Sequence, residues 1–180
     1  MTPQSMRELV ICRASDADVL QLARCDFSFE VTAELEEPFD DMRSVPVKPP
    51  YLKNYGFDAD ELVEHMNNSA GALFVARADN CLVGYLAVSQ SWNEYAVIDD
   101  IAVDVPYRGS GVSRLLMDAA VDWARNVPSA GVRLETQSVN LAACRFYRRY
   151  GFRLGGYDRY LYRGLHPGSR EVALFWYLSF

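Results

Sequence analysis

The apolar positions along the chain switch repeatedly between a period of two and a period near 3.6, so strands and helices are expected to interleave through one α/β unit. Residues 111–125 give the clearest helix. Val112, Leu115, Leu116, Ala119, Ala120, Trp123 and Ala124 fall at i, i+3, i+4, i+7, i+8, i+11 and i+12, which is one face of an amphipathic helix. Ser15 can open another helix running to Asp26, with Val19, Leu20, Leu22 and Ala23 as its apolar face, because a short oxygen-bearing side chain satisfies an amide of the first turn. Asp58 caps a short helix ending near Asn67, and Asn140 caps one through Tyr150 that Gly151 closes.

Residues 73–78 and 82–89 are two apolar runs separated by Asp79 and Asn80, the pattern of a hairpin. A third strand follows at 95–105, rich in Val and Ile but interrupted by Asp99 and Asp100. Neighbouring side chains of a regular strand point to opposite faces, so one carboxylate is expected to face the core or a cleft and the other its reverse. Residues 132–137, 152–157 and 171–178 complete the strands. The stretch through Pro38, Pro46, Pro49 and Pro50 reads as irregular loop with short extended pieces such as 43–47. Whether segment 30–57 forms a lid over a substrate is left open.

A chain of 180 residues, 50% of them hydrophobic, buries one sizeable core but hardly two, so a single domain over 1–180 is expected. Glu8, Arg13, Asp16 and Asp18 leave no continuous apolar stretch near the start, which argues against a secretory signal or membrane span and for the cytoplasm. Cys12, Cys25, Cys81 and Cys144 lack the paired spacing of a zinc or redox motif and read as free thiols; no metal is expected. The net charge of −6 hides an asymmetry: residues 26–64 hold eleven acids against three bases, and residues 101–180 hold six acids against eleven arginines. The split suits a cation near the acidic segment and a polyanion on the C-terminal half. An acidic chain without a basic stripe makes duplex nucleic acid a poor partner.

The turn between the third strand and the long helix reads Pro106-Tyr107-Arg108-Gly109-Ser110-Gly111-Val112-Ser113. Glycines there let the backbone approach a ligand, and the helix start offers unpaired N–H groups to an anion, so a phosphate-bearing ligand is expected. The spacing is neither the Walker loop nor the three-glycine dinucleotide fingerprint.

Arg108-Gly109-Ser110-Gly111-Val112-Ser113 resembles the Arg/Gln-x-x-Gly-x-Gly/Ala acyl-CoA loop of the GNAT superfamily of N-acetyltransferases, with Ser113 where that family has Gly or Ala. The run from Asn140 to Phe152, with Ala143, Tyr147 and Gly151 in place, resembles the family's Asn-x-x-Ala-x-x-x-Tyr helix and its closing Gly-Phe. The resemblance implies an α/β (α+β) fold with a mixed central sheet of about six to seven strands flanked by helices, and acyl-CoA in a V-shaped opening between central strands. It implies an acetyl-CoA-dependent N-acetyltransferase in which the pantetheine arm runs beside Ile101, Ala102 and Val103. The diphosphate rests on the amides from Arg108 through Gly109, Ser110, Gly111 and Val112 to Ser113, Asn140 touches the cofactor, and Tyr147 is the general acid for the departing thiolate.

A narrower likeness is carried by Ser91-Trp92-Asn93, Ile98-Asp99-Asp100-Ile101, Leu134-Glu135-Thr136-Gln137, the closing Ala173-Leu174-Phe175-Trp176-Tyr177 and Val47-Lys48-Pro49-Pro50-Tyr51. These segments resemble streptothricin acetyltransferases, which implies a small cationic amine as substrate, the β-lysine amine of streptothricin, and antibiotic resistance as the outcome. Asp99, Asp100 and Glu135 are then expected to bind the cation, with base catalysis a secondary role for Asp100 and Glu135. Trp92 and Tyr51 are expected to line the substrate pocket. His65 and His166 are assigned no chemistry. A protein amine or a polyamine as acceptor stays open, as does a non-catalytic acyl-CoA sensor; the oligomeric state, a homodimer included, is not fixed by the sequence.

Overall fold

The computed structural model describes residues 8–180. The expectation that the chain's first residues hold no leader falls partly on residues 1–7, outside those described. In chain order the elements are β1 (Leu9–Arg13), α1 (Asp16–Leu22), β2 (Phe29–Leu35), β3 (Ser44–Lys53), α2 (Ala59–Asn67), β4 (Gly71–Ala78), β5 (Cys81–Gln90), β6 (Tyr95–Val103), α3 (Val112–Arg125), β7 (Gly131–Gln137), α4 (Leu141–Tyr150), β8 (Arg153–Asp158) and β9 (Ala173–Ser179). They fall into two compact units, one built from the residues up to Phe27 with Tyr55–Ser129, the other from Ser28–Asn54 with Ala130–Phe180.

In the first unit β1, β4, β5 and β6 pair in that order, all antiparallel. The hairpin expected around Asp79 and Asn80 is present, and both residues take positive φ (48° and 67°). Such angles suit the right-handed twist of the flanking strands, and Asn and Asp tolerate them better than most residues. β4 and β5 are buried almost without interruption, the pattern of strands covered on both faces. On one face Val19 and Leu22 of α1 and Leu62 of α2 pack with Leu73, Val75, Tyr85 and Ala87. α3 contributes nothing to that cluster and packs on β4, β5 and β6 through its own buried row.

That row corrects the sequence reading of α3. The buried residues are Val112, Leu116, Met117, Ala120, Val121 and Ala124, whereas Leu115 is 38% exposed. The apolar arc is wider than the contact, and the sheet takes the edge that includes Met117 and Val121. α1 also ends earlier than expected, at Leu22. Its start is built as read: the Ser15 amide and hydroxyl each donate to the Asp18 carboxylate at 2.8 Å, and Arg77 pairs with the same carboxylate. Asp58 caps α2 by accepting from the Asp60 and Glu61 amides.

In the second unit β7, β9 and β8 pair antiparallel around the central β9, with Trp176 opposite Leu134 on one side and Leu154 on the other. Of the segment expected to be irregular loop with short extended pieces such as 43–47, the extended part runs further, as the ten-residue strand β3 paired with β2 in a two-stranded ribbon. Neither β1 nor β2 was apparent in the sequence pattern. Pro46, Pro49 and Pro50 are tolerated because a ribbon gives each strand an edge on which a missing N–H costs no ladder bond. Within this unit the ribbon is anchored by Leu35, whose amide donates to the Ser138 carbonyl at 2.9 Å, by an Arg159–Glu37 ion pair and by a Lys53–Glu171 ion pair. Among the described residues all four cysteines are free, and no helix is long and apolar enough to cross a membrane.

The burial of α3 makes a direct prediction. Leu116, fully buried, leaves a cavity when cut to Ala and should cost about 2–5 kcal/mol in urea unfolding. Leu115→Ala should cost under about 1 kcal/mol; equal losses would mean that the helix packs through the other edge of its apolar arc.

Candidate active site

Residues 108–113, expected to bind a phosphate, lie in the first unit. β6 ends at Val103, a single 3-10 turn (Val105–Tyr107) follows, and Gly111 stands as N-cap of α3 without a capping side chain. Gly109 and Gly111 have φ of 75° and 95°, and a Cβ added at either would meet nothing within 4 Å. Glycine is needed here for the backbone angle, and the space above the loop is open. The Arg108 and Ser110 amides bond to the Val105 and Tyr107 carbonyls at 3.3 and 3.4 Å. Among the described residues, the amides of Gly109, Gly111, Val112 and Ser113 have no protein acceptor. Four unpaired donors around a helix start form a cradle for an oxyanion, and the helix dipole adds to the attraction.

The Arg108 side chain braces this cradle, its Nε donating to the Val103 carbonyl at 3.0 Å. Burial lowers the guanidinium pKa, while Asp26 and Asp104 oppose the shift. Ser110 turns its hydroxyl back onto the Tyr107 carbonyl at 2.5 Å.

Asp99 and Asp100 do not face opposite ways, because β6 is not regular there. Ala87 pairs with Asp100 but the next residue, Val88, pairs with Ile98, leaving Asp99 as the extra residue of a β-bulge. A bulge resets the alternation of side chains. Asp100 accepts from the Tyr85 hydroxyl, and Asp99 accepts from the Ser89 hydroxyl at 2.7 Å. Tyr85 and Ser89 lie on the same face of β5, so both carboxylates are aimed at the face covered by α2. His65 of α2 sits 3.8 Å from Asp99 and also acts electrostatically on Asp100.

Burial raises the Asp100 pKa, and Glu61 raises it further; hydrogen bonds from Tyr85 and the Ile101 amide, with His65 nearby, pull it back. Burial and the Asp100 charge push the Tyr85 phenol up, so it stays a donor. Phe27 packs edge-on against that ring and Phe57 at a tilt, their ring centroids 5.4 and 6.2 Å away. Tyr85 and Glu61 were not singled out in the sequence, and His65, which was assigned no chemistry there, lies beside both carboxylates. Trp92, expected to line a pocket, stands 93% exposed in the β5–β6 turn.

The second unit holds Glu135, Asn140, Tyr147 and Tyr51. Glu135, on β7, accepts from the Tyr162 hydroxyl. Burial raises its carboxyl pKa, the Tyr162 bond lowers it, and Glu171 raises it. Tyr162 comes from a short helical turn (Leu161–Arg163) in the β8–β9 connection and carried no sequence signal beyond an aromatic among arginines. Tyr51 is half-exposed on β3, its phenol pushed up first by burial and then by Glu171 and Glu34. Asn140 caps α4, its side-chain oxygen accepting from the Ala143 amide at 3.2 Å, which leaves its NH₂ for any ligand contact. Tyr147 is only 5% exposed and packs against Phe146, Phe152 and Trp176 at ring separations of 5.5, 5.9 and 6.3 Å. Cys144, buried beside it on α4, has its thiol pushed up to about 12 by burial and stays protonated.

The acetyltransferase (GNAT) family profile matches residues 20–152. The chain belongs to the GNAT acetyltransferase family. Streptothricin acetyltransferase A of Bacillus subtilis (strain 168) is 38% identical over 131 residues, 73% of this chain and 75% of that protein. Streptothricin acetyltransferase of Streptomyces lavendulae is 34% identical over 181 residues, covering 97% of this chain and 95% of the relative. Among solved structures, a protein of Bacillus anthracis str. Ames described as a streptothricin acetyltransferase, crystallised with acetyl coenzyme A, superposes with a TM-score of 0.82 at 35% identity, over 96% of this chain and 100% of the other. The α/β fold expected from the sequence is therefore the one found, and the chain is an N-acetyltransferase.

The Tyr162–Glu135 contact predicts a titration. Since the phenol's hydrogen bond favours the ionised carboxylate and burial opposes it, Glu135 should titrate above the usual glutamate value of about 4.3. In Tyr162→Phe it should titrate higher still, read by carboxyl carbon NMR; an unmoved midpoint would remove the contact from the account.

Proposed function

We propose that this acetyltransferase transfers the acetyl group of acetyl-CoA to an amine of a small cationic acceptor of the streptothricin type, which would confer resistance to that antibiotic in the cytoplasm. The observation that carries the reading is the set of four unpaired amides at Gly109, Gly111, Val112 and Ser113, the donors that a coenzyme diphosphate requires. The near full-length likeness to the Streptomyces lavendulae streptothricin acetyltransferase and the acetyl coenzyme A complex of the Bacillus anthracis protein support the donor and the acceptor class.

Acetyl-CoA supplies an activated thioester, and the roles left to the chain are binding, orientation and proton movement. The loop amides take the diphosphate, and Ile101, Ala102 and Val103 of β6 offer backbone to the pantetheine arm. An ammonium must lose a proton before its nitrogen attacks the thioester carbonyl. The new C–N bond forms as the C–S bond breaks, and the departing thiolate takes a proton from Tyr147. Asp99, Asp100 and Glu135 gather the cation, and Tyr51 packs against its apolar parts. Asp100 and Glu135, both with carboxyl pKa raised by burial, are better proton acceptors than free carboxylates and serve as bases directly or through water. Acetylation turns the acceptor's cation into a neutral amide.

Thiol release from acetyl-CoA should be fast with streptothricin and slow with spermidine or a basic peptide; a reversed order would reassign the acceptor, and coenzyme binding without turnover on any amine would make the chain a sensor. Tyr147→Phe, which keeps the buried ring, should lower kcat by about 10²–10⁴ with little change in acetyl-CoA affinity. Asp100→Asn and Glu135→Gln should raise the streptothricin KM. Full activity in Tyr147→Phe contradicts its role as acid.

A further inference from the structure

Tyr85 is fully buried in the middle of β5, where the other residues from 82 to 88 are Leu, Val, Gly, Leu, Ala and Val. A phenylalanine would fit such a stretch without carrying a hydroxyl into the core, where a polar atom needs a partner. The partner here is a charged group, because the Tyr85 hydroxyl donates to the Asp100 carboxylate of β6. The strand register explains the reach. Ala87 stands opposite Asp100, so Tyr85 approaches it diagonally from two residues back along β5. The tyrosine ring is held by Phe27 and Phe57, within the cluster that α1 and α2 form on the sheet.

Charged groups of two elements also act on Asp100. Glu61 of α2 opposes its ionisation and His65 of α2 favours it. Asp99, turned to the same face, is bonded to Ser89 and lies 3.8 Å from His65. Among these contacts the phenol is the one whose own place is set by core packing, since its ring cannot move without disturbing Phe27 and Phe57. We propose that Tyr85 is a positioning residue for acetyl transfer: its hydroxyl fixes the Asp100 side chain, and with it the carboxylate oxygen that meets the acceptor's ammonium. The inference rests on the reading above in which Asp100 is a base. The proton passes from the ammonium nitrogen to the carboxylate, giving a neutral amine and a carboxylic acid, and Tyr85 keeps its own proton throughout. A carboxylate has about four lone-pair sites, so one phenol leaves room for the ammonium.

A double-mutant cycle over Tyr85 and Asp100 tests the proposal. Steady-state kinetics are measured for the intact protein, Tyr85→Phe, Asp100→Asn and the double variant, with whichever amine the intact protein acetylates fastest. The preference of the intact protein among amines tests the functional reading, and the cycle tests the role of Tyr85, so the two fail separately. Tyr85→Phe keeps the ring and its packing. It should lower kcat/KM for the amine about tenfold or more and leave the KM for acetyl-CoA within about twofold. In the Asp100→Asn background the same change should cost less than about twofold, because the group that Tyr85 positions is gone. A tyrosine that serves packing alone would cost the same factor in both backgrounds, and that result overturns the proposal. The pH profile gives a second reading. The lost hydrogen bond favoured the ionised carboxylate, so the acid limb of kcat/KM should move to higher pH in Tyr85→Phe, with Glu61, His65 and Asp99 still in place. A limb that stays where the intact protein has it also overturns the proposal.

Discussion

The first turn of α3 cannot satisfy its own backbone donors, and among the described residues none does so for it. Gly111 caps without a side chain, and left-handed backbone at Gly109 and Gly111 turns the chain so that four amides are left open together. A serine or aspartate at the cap would satisfy one of these donors and block the cradle. On the proposed reading, the stability that a cap would add is given up in exchange for an anion site. The rest of the first unit holds that turn still: β6 delivers the chain to it, Arg108 ties it to Val103, and the buried row of α3 fixes the helix on the sheet.

The carboxylates follow a second constraint, that a buried charge needs partners. Asp100 is held by the Tyr85 phenol and the Ile101 amide, and Glu135 by the Tyr162 phenol. Each phenol donates and cannot compete for a cation, so the carboxylate keeps its capacity to accept from an ammonium. The raised pKa of both groups expresses the same balance, with burial outweighing the hydrogen bonds. The β-bulge at Asp99 adds to this by placing a second carboxylate on the face of its neighbour.

Local signals were legible in the sequence where chemistry and backbone geometry coincide. Ser15, Asp58 and Asn140 cap the helices they were expected to cap, Asp79 and Asn80 make the hairpin turn, and Gly109 and Gly111 take the angles that only glycine adopts readily. What escaped depends on partners far along the chain. β3 was hidden by its prolines, which rule out a central strand but not a ribbon edge. The common direction of Asp99 and Asp100 was hidden because a bulge is a property of pairing with β5, not of β6 alone. Tyr162 reaches Glu135 across 27 residues of sequence, and no local pattern marks such a contact. Leu115 and Met117 exchanged roles because a periodicity gives an apolar arc, while the sheet decides which edge of it is covered.

The central claim is that the open amides at the start of α3 grip a coenzyme diphosphate. A titration of the nitrogen-15-labelled protein with coenzyme A, followed by backbone amide NMR, tests it most directly. The account requires the Gly109, Gly111, Val112 and Ser113 amide protons to move downfield together and to saturate with coenzyme binding. If coenzyme A binds while those four signals stay where they are, the diphosphate is held elsewhere and the account fails.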